Sequence, residues 1–127
     1  MNKVLLVEDD QFLSSLLKNR LIKEGLDVVP ALNGNEALSL LSKDTKPDLI
    51  LLDLILPGKS GFEVLEAIKS DPQSSKIPVM IISNLGQESD IQKGKDLGAV
   101  DYLIKTRVSI DFLVEKTKEF LKPKPAV

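Results

Sequence analysis

The sequence predicts an α/β domain of five β-then-α units in strict alternation, with a parallel sheet covered by helices on both faces. Three observations carry this. Four short apolar runs, Val4–Val7, Leu49–Leu52, Val79–Ile82 and Tyr102–Ile104, are continuous rather than alternating, as strands buried on both faces are. The stretches between them repeat apolar residues at helical spacing. Gly and Ser stand where those stretches should begin and end.

Taken in order, Val4–Val7 opens the sheet, and Leu13, Leu16, Leu17 and Leu21 then give one face of a helix that stops at Gly25. Asp27–Ala31 is a weaker strand, and its Pro30 suits an edge position. Ala37, Leu38 and Leu41 mark the second helix, and Leu49–Leu52 the third strand. Ser60-Gly61-Phe62-Glu63 is a capping-box pattern ahead of Val64, Leu65 and Ile68. After Val79–Ile82 comes the weakest helix, Glu88 to Leu97, with Ile91 and Leu97 as its main apolar residues, Gly94 inside it and Gly98 at its end. Tyr102–Ile104 precedes a last helix capped by Ser109, with Ile110, Leu113, Val114, Thr117 and Leu121 on its inner face.

The chain has 127 residues, 43% hydrophobic and 28% charged, which suits one globular domain. Seventeen basic against nineteen acidic residues leave a net charge of -2. That balance disfavours nucleic acid as the main partner, and four Phe, one Tyr and no Trp are too few for a base-stacking platform. Absence of Cys excludes thiolate metal sites and cysteine nucleophiles, and absence of His excludes serine–histidine triads and imidazole ligands. Any metal must be held by oxygen, which favours Mg²⁺, Ca²⁺ or Mn²⁺. No apolar stretch exceeds four residues, so no membrane span is expected and a cytoplasmic domain is the default.

In a sheet of this kind ligands gather at the carboxyl ends of the strands. There the sequence places Glu8-Asp9-Asp10, then Asp53, Ser83 and Lys105. Carboxylates about 4 Å apart repel by roughly 4 kcal/mol at an effective dielectric near 20, so gathering them calls for a cation. Asp53 also interrupts the apolar run from Leu49 to Leu56. A carboxylate there is a nucleophile, a metal ligand, or the mark of an exposed strand end.

The motifs Val4-Leu5-Leu6-Val7-Glu8-Asp9-Asp10, Leu52-Asp53-Leu54-Ile55-Leu56-Pro57-Gly58, Ile81-Ile82-Ser83-Asn84, Gly98-Ala99-Val100-Asp101-Tyr102 and Leu103-Ile104-Lys105 occur in this order. With them the chain resembles the response-regulator receiver domains of two-component signalling over essentially its whole length. The resemblance implies a flavodoxin-like (βα)5 fold with strand order 2-1-3-4-5. The receiver then spans residues 1–122, and Pro123 and Pro125, which cannot continue a helix, make 123–127 a frayed tail.

The resemblance also implies roles. Asp53 is the phosphoacceptor, supplied by a sensor histidine kinase or a phosphotransfer protein. Asp9 and Asp53 bind Mg²⁺ directly, with Mn²⁺ able to substitute. The main-chain carbonyl of Ile55 helps, and Glu8 acts mainly through water. Lys105 and the metal neutralise charge on the transferred phosphoryl oxygens. Ser83 donates its hydroxyl to the bound group, Tyr102 moves inward behind it, and the 84–121 face meets a downstream protein. No direct contact with nucleic acid or membrane is implied. Nor is an enzyme acting on a separate substrate, although the domain takes part in its own phosphorylation and dephosphorylation.

Plainer readings stand beside these. Asp10 is an N-cap of the first helix, Ser83 a hydroxyl bonded to backbone, Tyr102 packing, Lys105 a surface lysine, and Lys116, Lys118, Lys122 and Lys124 a solvated helix face. Other functions fit less well. An aspartate phosphohydrolase typically has an acid where Ile55 stands, and a flavin phosphate loop would be repelled by Glu8-Asp9-Asp10. A receiver that no longer takes phosphate would not need the full set of acids, hydroxyl and lysine.

The sequence departs from the family where Thr106 follows Lys105, a place usually held by a proline in a cis peptide. Before a non-proline residue the cis form costs about 2.5–4 kcal/mol, so a trans or a strained loop is expected, and it bears on the reach of Lys105. Asn84 replaces a smaller residue, and Lys59-Ser60 a more common pair. Ile55 and Leu85 carry no group that orients water beside the acceptor, so slow self-dephosphorylation is expected.

Overall fold

The computed structural model describes residues 2–43 and 45–121. The expected tail at 123–127 lies outside the described residues. Five strands, β1 (Lys3–Val7), β2 (Asp27–Ala31), β3 (Leu49–Leu52), β4 (Val79–Ser83) and β5 (Asp101–Ile104), alternate with α1 (Gln11–Lys23), α2 (Gly34–Ser42), α3 (Gly61–Ser70), α4 (Glu88–Asp96) and α5 (Ile110–Leu121). A single 3-10 turn, Lys105–Arg107, joins β5 to α5. All pairings are parallel and the order is β2-β1-β3-β4-β5, as the sequence predicts. β2 is an edge strand, which leaves its Pro30 free of any need to donate to a second neighbour.

Successive residues of a strand point to opposite faces, and the core divides accordingly. Val4 and Leu6 pack with Leu17, Leu21, Leu113 and Val114 under α1 and α5. Leu5 and Val7 pack with Ala37, Val64, Leu65 and Ile68 under α2 and α3. Both sets are buried, which is why the strands read as unbroken apolar runs.

The caps form where the sequence places them. Ser60 and Glu63 make a reciprocal capping box at α3, and Ser109 Oγ accepts from Phe112 N–H at α5. Gly25 and Gly98 take φ of +84° and +103° after α1 and α4, each closing the 6→1 and 5→2 bonds of a Schellman turn. One expectation fails: Leu16 is 37% exposed, and the buried face of α1 is made by Ser14, Leu17 and Leu21. α1 carries apolar residues around most of its circumference, Phe12 included, so leucine spacing alone does not fix its inner face.

Candidate functional site

Register decides what meets at the carboxyl end of the sheet. Val7 pairs with Leu52 and Leu52 with Ile81, so Glu8 and Asp53 lie side by side as β1 and β3 end. Ser83 pairs with Ile104, which places Lys105 one step beyond. Backbone bonds extend the ladder past the strands, with Asp53 N–H donating to Val7 O and Glu8 N–H to Ala31 O, both at 3.0 Å. The acids are thus held by the sheet itself.

Glu8 and Asp53 are buried, at 3% and 5% exposure, while Asp9 faces solvent. One carboxylate oxygen from each of Glu8, Asp9 and Asp53 lies within 4.8 Å of the others. Lys105 Nζ reaches two of them, 2.5 Å from Glu8 Oε1 and 2.8 Å from Asp53 Oδ2. Asp53 Oδ1 accepts the Ile55 N–H at 3.1 Å, and Glu8 Oε2 accepts the Asp10 N–H at 3.1 Å.

Burial, with the Asp53 charge added to it, outweighs the bonds from Lys105 and Asp10 and pushes the Glu8 carboxyl up to about 7. Burial alone would lower the Lys105 ammonium, but its hydrogen bonds to Asp53 and Glu8 hold it above the ordinary lysine value, so it stays cationic. One lysine against three carboxylates leaves an excess of negative charge on all-oxygen donors. A hard divalent cation is the group that such a donor set fits.

The remaining candidates lie beside this cluster. Ser83 is fully buried, and its Oγ accepts the Leu85 N–H at 3.4 Å, a bond to backbone of the kind the plainer reading of its sequence position expects. Tyr102 is half-buried and donates its hydroxyl to Leu85 O, so both side chains tie to the segment following β4. Burial, with the charges of Asp90 and Asp53, pushes its phenol up to about 12. Asp10 caps α1, accepting from Phe12 and Leu13 N–H. Ile55 turns its side chain outward at 53% exposure. The Lys105–Thr106 peptide is trans, as are all described peptides, and Lys105 makes its contacts from the first residue of the 3-10 turn. Lys116 and Lys118 do not form one solvated face: both are half-buried, on opposite flanks of α5 about the buried Thr117, and pair with neighbouring elements, Lys116 with Asp101 and Lys118 with Glu24, while Lys122 and Lys124 lie outside the described residues.

One positioning residue is not singled out by the sequence. A Cβ on Gly61 would stand 2.4 Å from both Asp53 O and Leu54 Cα. Gly61 N–H also donates to Leu54 O at 2.9 Å. The start of α3 is therefore pressed against the backbone of Asp53 itself. The available signal was a glycine at the first helical position, after a Ser that already supplies the cap.

The sequence matches the response regulator receiver domain family over residues 4–118. This chain belongs to that family. It is 46% identical over 105 residues to the transcriptional regulatory protein CpxR of Escherichia coli K12, covering 83% of this chain and 43% of CpxR. It therefore spans less than half the length of that relative. Among solved structures, the Vibrio cholerae chemotaxis protein CheY4 superposes with a TM-score of 0.86 at 28% identity, over 94% of this receiver and 98% of that chain. The Mn²⁺-bound response regulator Rcp1 superposes with a TM-score of 0.84 at 30% identity, over 100% and 99% of the two chains. Receiver domains engage histidine kinases and downstream targets. No helix among the described residues is long and apolar enough to cross a membrane.

Proposed function

We propose that this receiver is a phosphoacceptor whose acceptor is Asp53. The supporting observation is the Asp53 carboxylate itself: buried, bonded by Lys105 at 2.8 Å, and flanked by two further carboxylates. A carboxylate oxygen of Asp53 attacks phosphorus, and the phosphorus–nitrogen bond of a donor phosphohistidine breaks. The electron pair leaves with the imidazole, which is neutral once it carries its proton. Lys105 neutralises charge on the phosphoryl oxygens as it builds, and the Ile55 N–H holds the second carboxylate oxygen in place. Ser83 turns its hydroxyl from the Leu85 N–H to the phosphoryl group, and Tyr102 follows.

Asp9 and Asp53, with the Ile55 carbonyl, would hold Mg²⁺ directly and Glu8 through water, and Mn²⁺ would serve as well. The ion supplies positive charge that lets two anions meet. A histidine kinase or phosphotransfer protein is the donor, and the 84–121 face is the surface that changes for a downstream protein. On this reading the domain is cytoplasmic, acts on no separate substrate, and contacts neither nucleic acid nor membrane.

Intact-mass measurement after incubation with acetyl phosphate tests it. One phosphoryl group is expected in Mg²⁺, none in chelator, and none on Asp53→Asn. Undiminished modification of Asp53→Asn would overturn the assignment.

A further inference from the structure

α4 is held by almost nothing apolar. Its N-cap Gln87 makes no side-chain bond, and Gly94 is its only buried residue. Yet Gly94 sits where the sheet comes closest. A Cβ there would stand 2.7 Å from Ile81 Cδ1 and 3.2 and 3.4 Å from Tyr102 Cδ2 and Cε2. Carbon atoms in van der Waals contact are about 3.5–4.0 Å apart, so α4 rests on the Tyr102 ring and on Ile81 with no space for a methyl group.

The covered ring is the one whose hydroxyl bonds Leu85 O, and Leu85 N–H in turn bonds Ser83 Oγ. Contacts therefore run without a gap from α4 through Tyr102 to the strand-end hydroxyl. A second tether holds the flank of the helix nearest α3, where Lys93 Nζ lies 4.5 Å from the centroid of the Phe62 ring.

We propose that Gly94 is a positioning residue for Tyr102: the missing side chain lets α4 close onto the ring, and this seat keeps the phenol on Leu85 and the segment after β4 in place. A side chain at this position forces apart two groups that cannot both stay, either lifting α4 or turning the ring away from Leu85. The proposal deepens the function proposed above and rests on that reading only for the link from Ser83 to phosphoryl chemistry. The seat itself is a property of the unmodified protein.

Tyr102 is the only tyrosine and there is no tryptophan, so intrinsic fluorescence reports on this ring alone. In the full chain without metal or phosphoryl donor, Gly94→Ala is expected to make Tyr102 fluorescence more accessible to acrylamide. It should also speed amide exchange of Leu85 and residues 88–97 about five- to thirty-fold, the effect of moderate overpacking. Ile81→Val removes the Cδ1 atom nearest the new methyl group, so the Gly94→Ala/Ile81→Val protein should return both readings toward wild type. Gly34→Ala supplies a control for general destabilisation, since its Cβ would overlap Val64 Cγ2 instead. Should Gly94→Ala not fold, recovery of folding in the double variant is the supporting outcome. The proposal is overturned if Gly94→Ala leaves quenching and exchange unchanged, if it changes them no more than Gly34→Ala does, or if Ile81→Val restores nothing. None of these outcomes depends on whether Asp53 accepts a phosphoryl group, which the mass measurement decides separately.

Discussion

Lys105 Nζ donates to Asp53 Oδ2 at 2.8 Å, an ammonium from the end of β5 meeting a carboxylate from the end of β3 across the intervening β4. The same nitrogen lies against Glu8, so a single cation balances two buried acids. Replacing it with an isosteric apolar side chain, Lys105→Met, leaves both acids without their partner. The expected loss is about 1.5–3 kcal/mol in chelator, kept from growing larger because Glu8 can take up a proton. Denaturant unfolding should show that loss shrinking when Mg²⁺ is added. An equal loss with and without Mg²⁺ would contradict a cation site at these carboxylates.

Gly61→Ala should damage the proposed acceptor, Asp53, more than the fold. The new Cβ meets Asp53 O and Leu54 Cα, both backbone atoms that cannot rotate away. We expect about 1–3 kcal/mol of destabilisation and slower phosphorylation of the molecules that remain folded. Gly25→Ala is the comparison: its site has open space and only a φ of +84°, so it should cost about 1–2 kcal/mol of backbone strain with no effect on Asp53. Rates measured by intact mass at matched folded fractions separate the two.

The Tyr102 phenol, raised to about 12 by burial and by Asp90 and Asp53, has a folded value above its ordinary 10. The folded protein therefore holds a proton that the unfolded chain releases between pH 10 and 12, and this contribution to stability is lost as pH rises through that window. Phenolate absorbance of this lone tyrosine should stay low near pH 11 and appear at lower pH in Asp90→Asn. Titration at the ordinary value in the folded wild type would refute the environment described for the ring.

Ile55 stands two residues from Asp53, the proposed acceptor, with an exposed, purely apolar side chain. It offers no hydrogen bond to a water approaching an acyl phosphate. Ile55→Asn supplies one and should speed loss of the phosphoryl group about three- to ten-fold, the scale of one oriented hydrogen bond. An unchanged or slower decay would show that water is positioned by other groups.

Much of this was legible in advance because parallel strands buried on both faces leave a plain trace. Val4–Val7, Leu49–Leu52 and Val79–Ile82 have no polar interruption, and the polar residues that end them are the ones the register brings together. Spacing misplaces Leu16 because Phe12, Leu13, Leu16, Leu17, Leu21 and Ile22 together spread round most of α1 and Ser14 takes a core position; spacing cannot choose among faces that all look apolar. Thr106 alone does not fix the reach of Lys105, since whether a long side chain meets its partners depends on the aim of a turn. Gly61 and Gly94 were hidden for a different reason. What matters at each is an atom that is not there, and its neighbours come from other strands.

The sparse seating of α4 has an evolutionary consequence. None of its nine residues contributes a fully buried side chain, the one buried residue being Gly94, so most substitutions away from Gly94 are nearly silent for folding. Paralogous receivers can therefore diverge in the charge and shape they present along α4 while keeping the same core. With the 84–121 face as the proposed docking surface, drift at Gln92, Lys95 or Asp96 would change what a partner meets without first having to be compensated elsewhere in the chain.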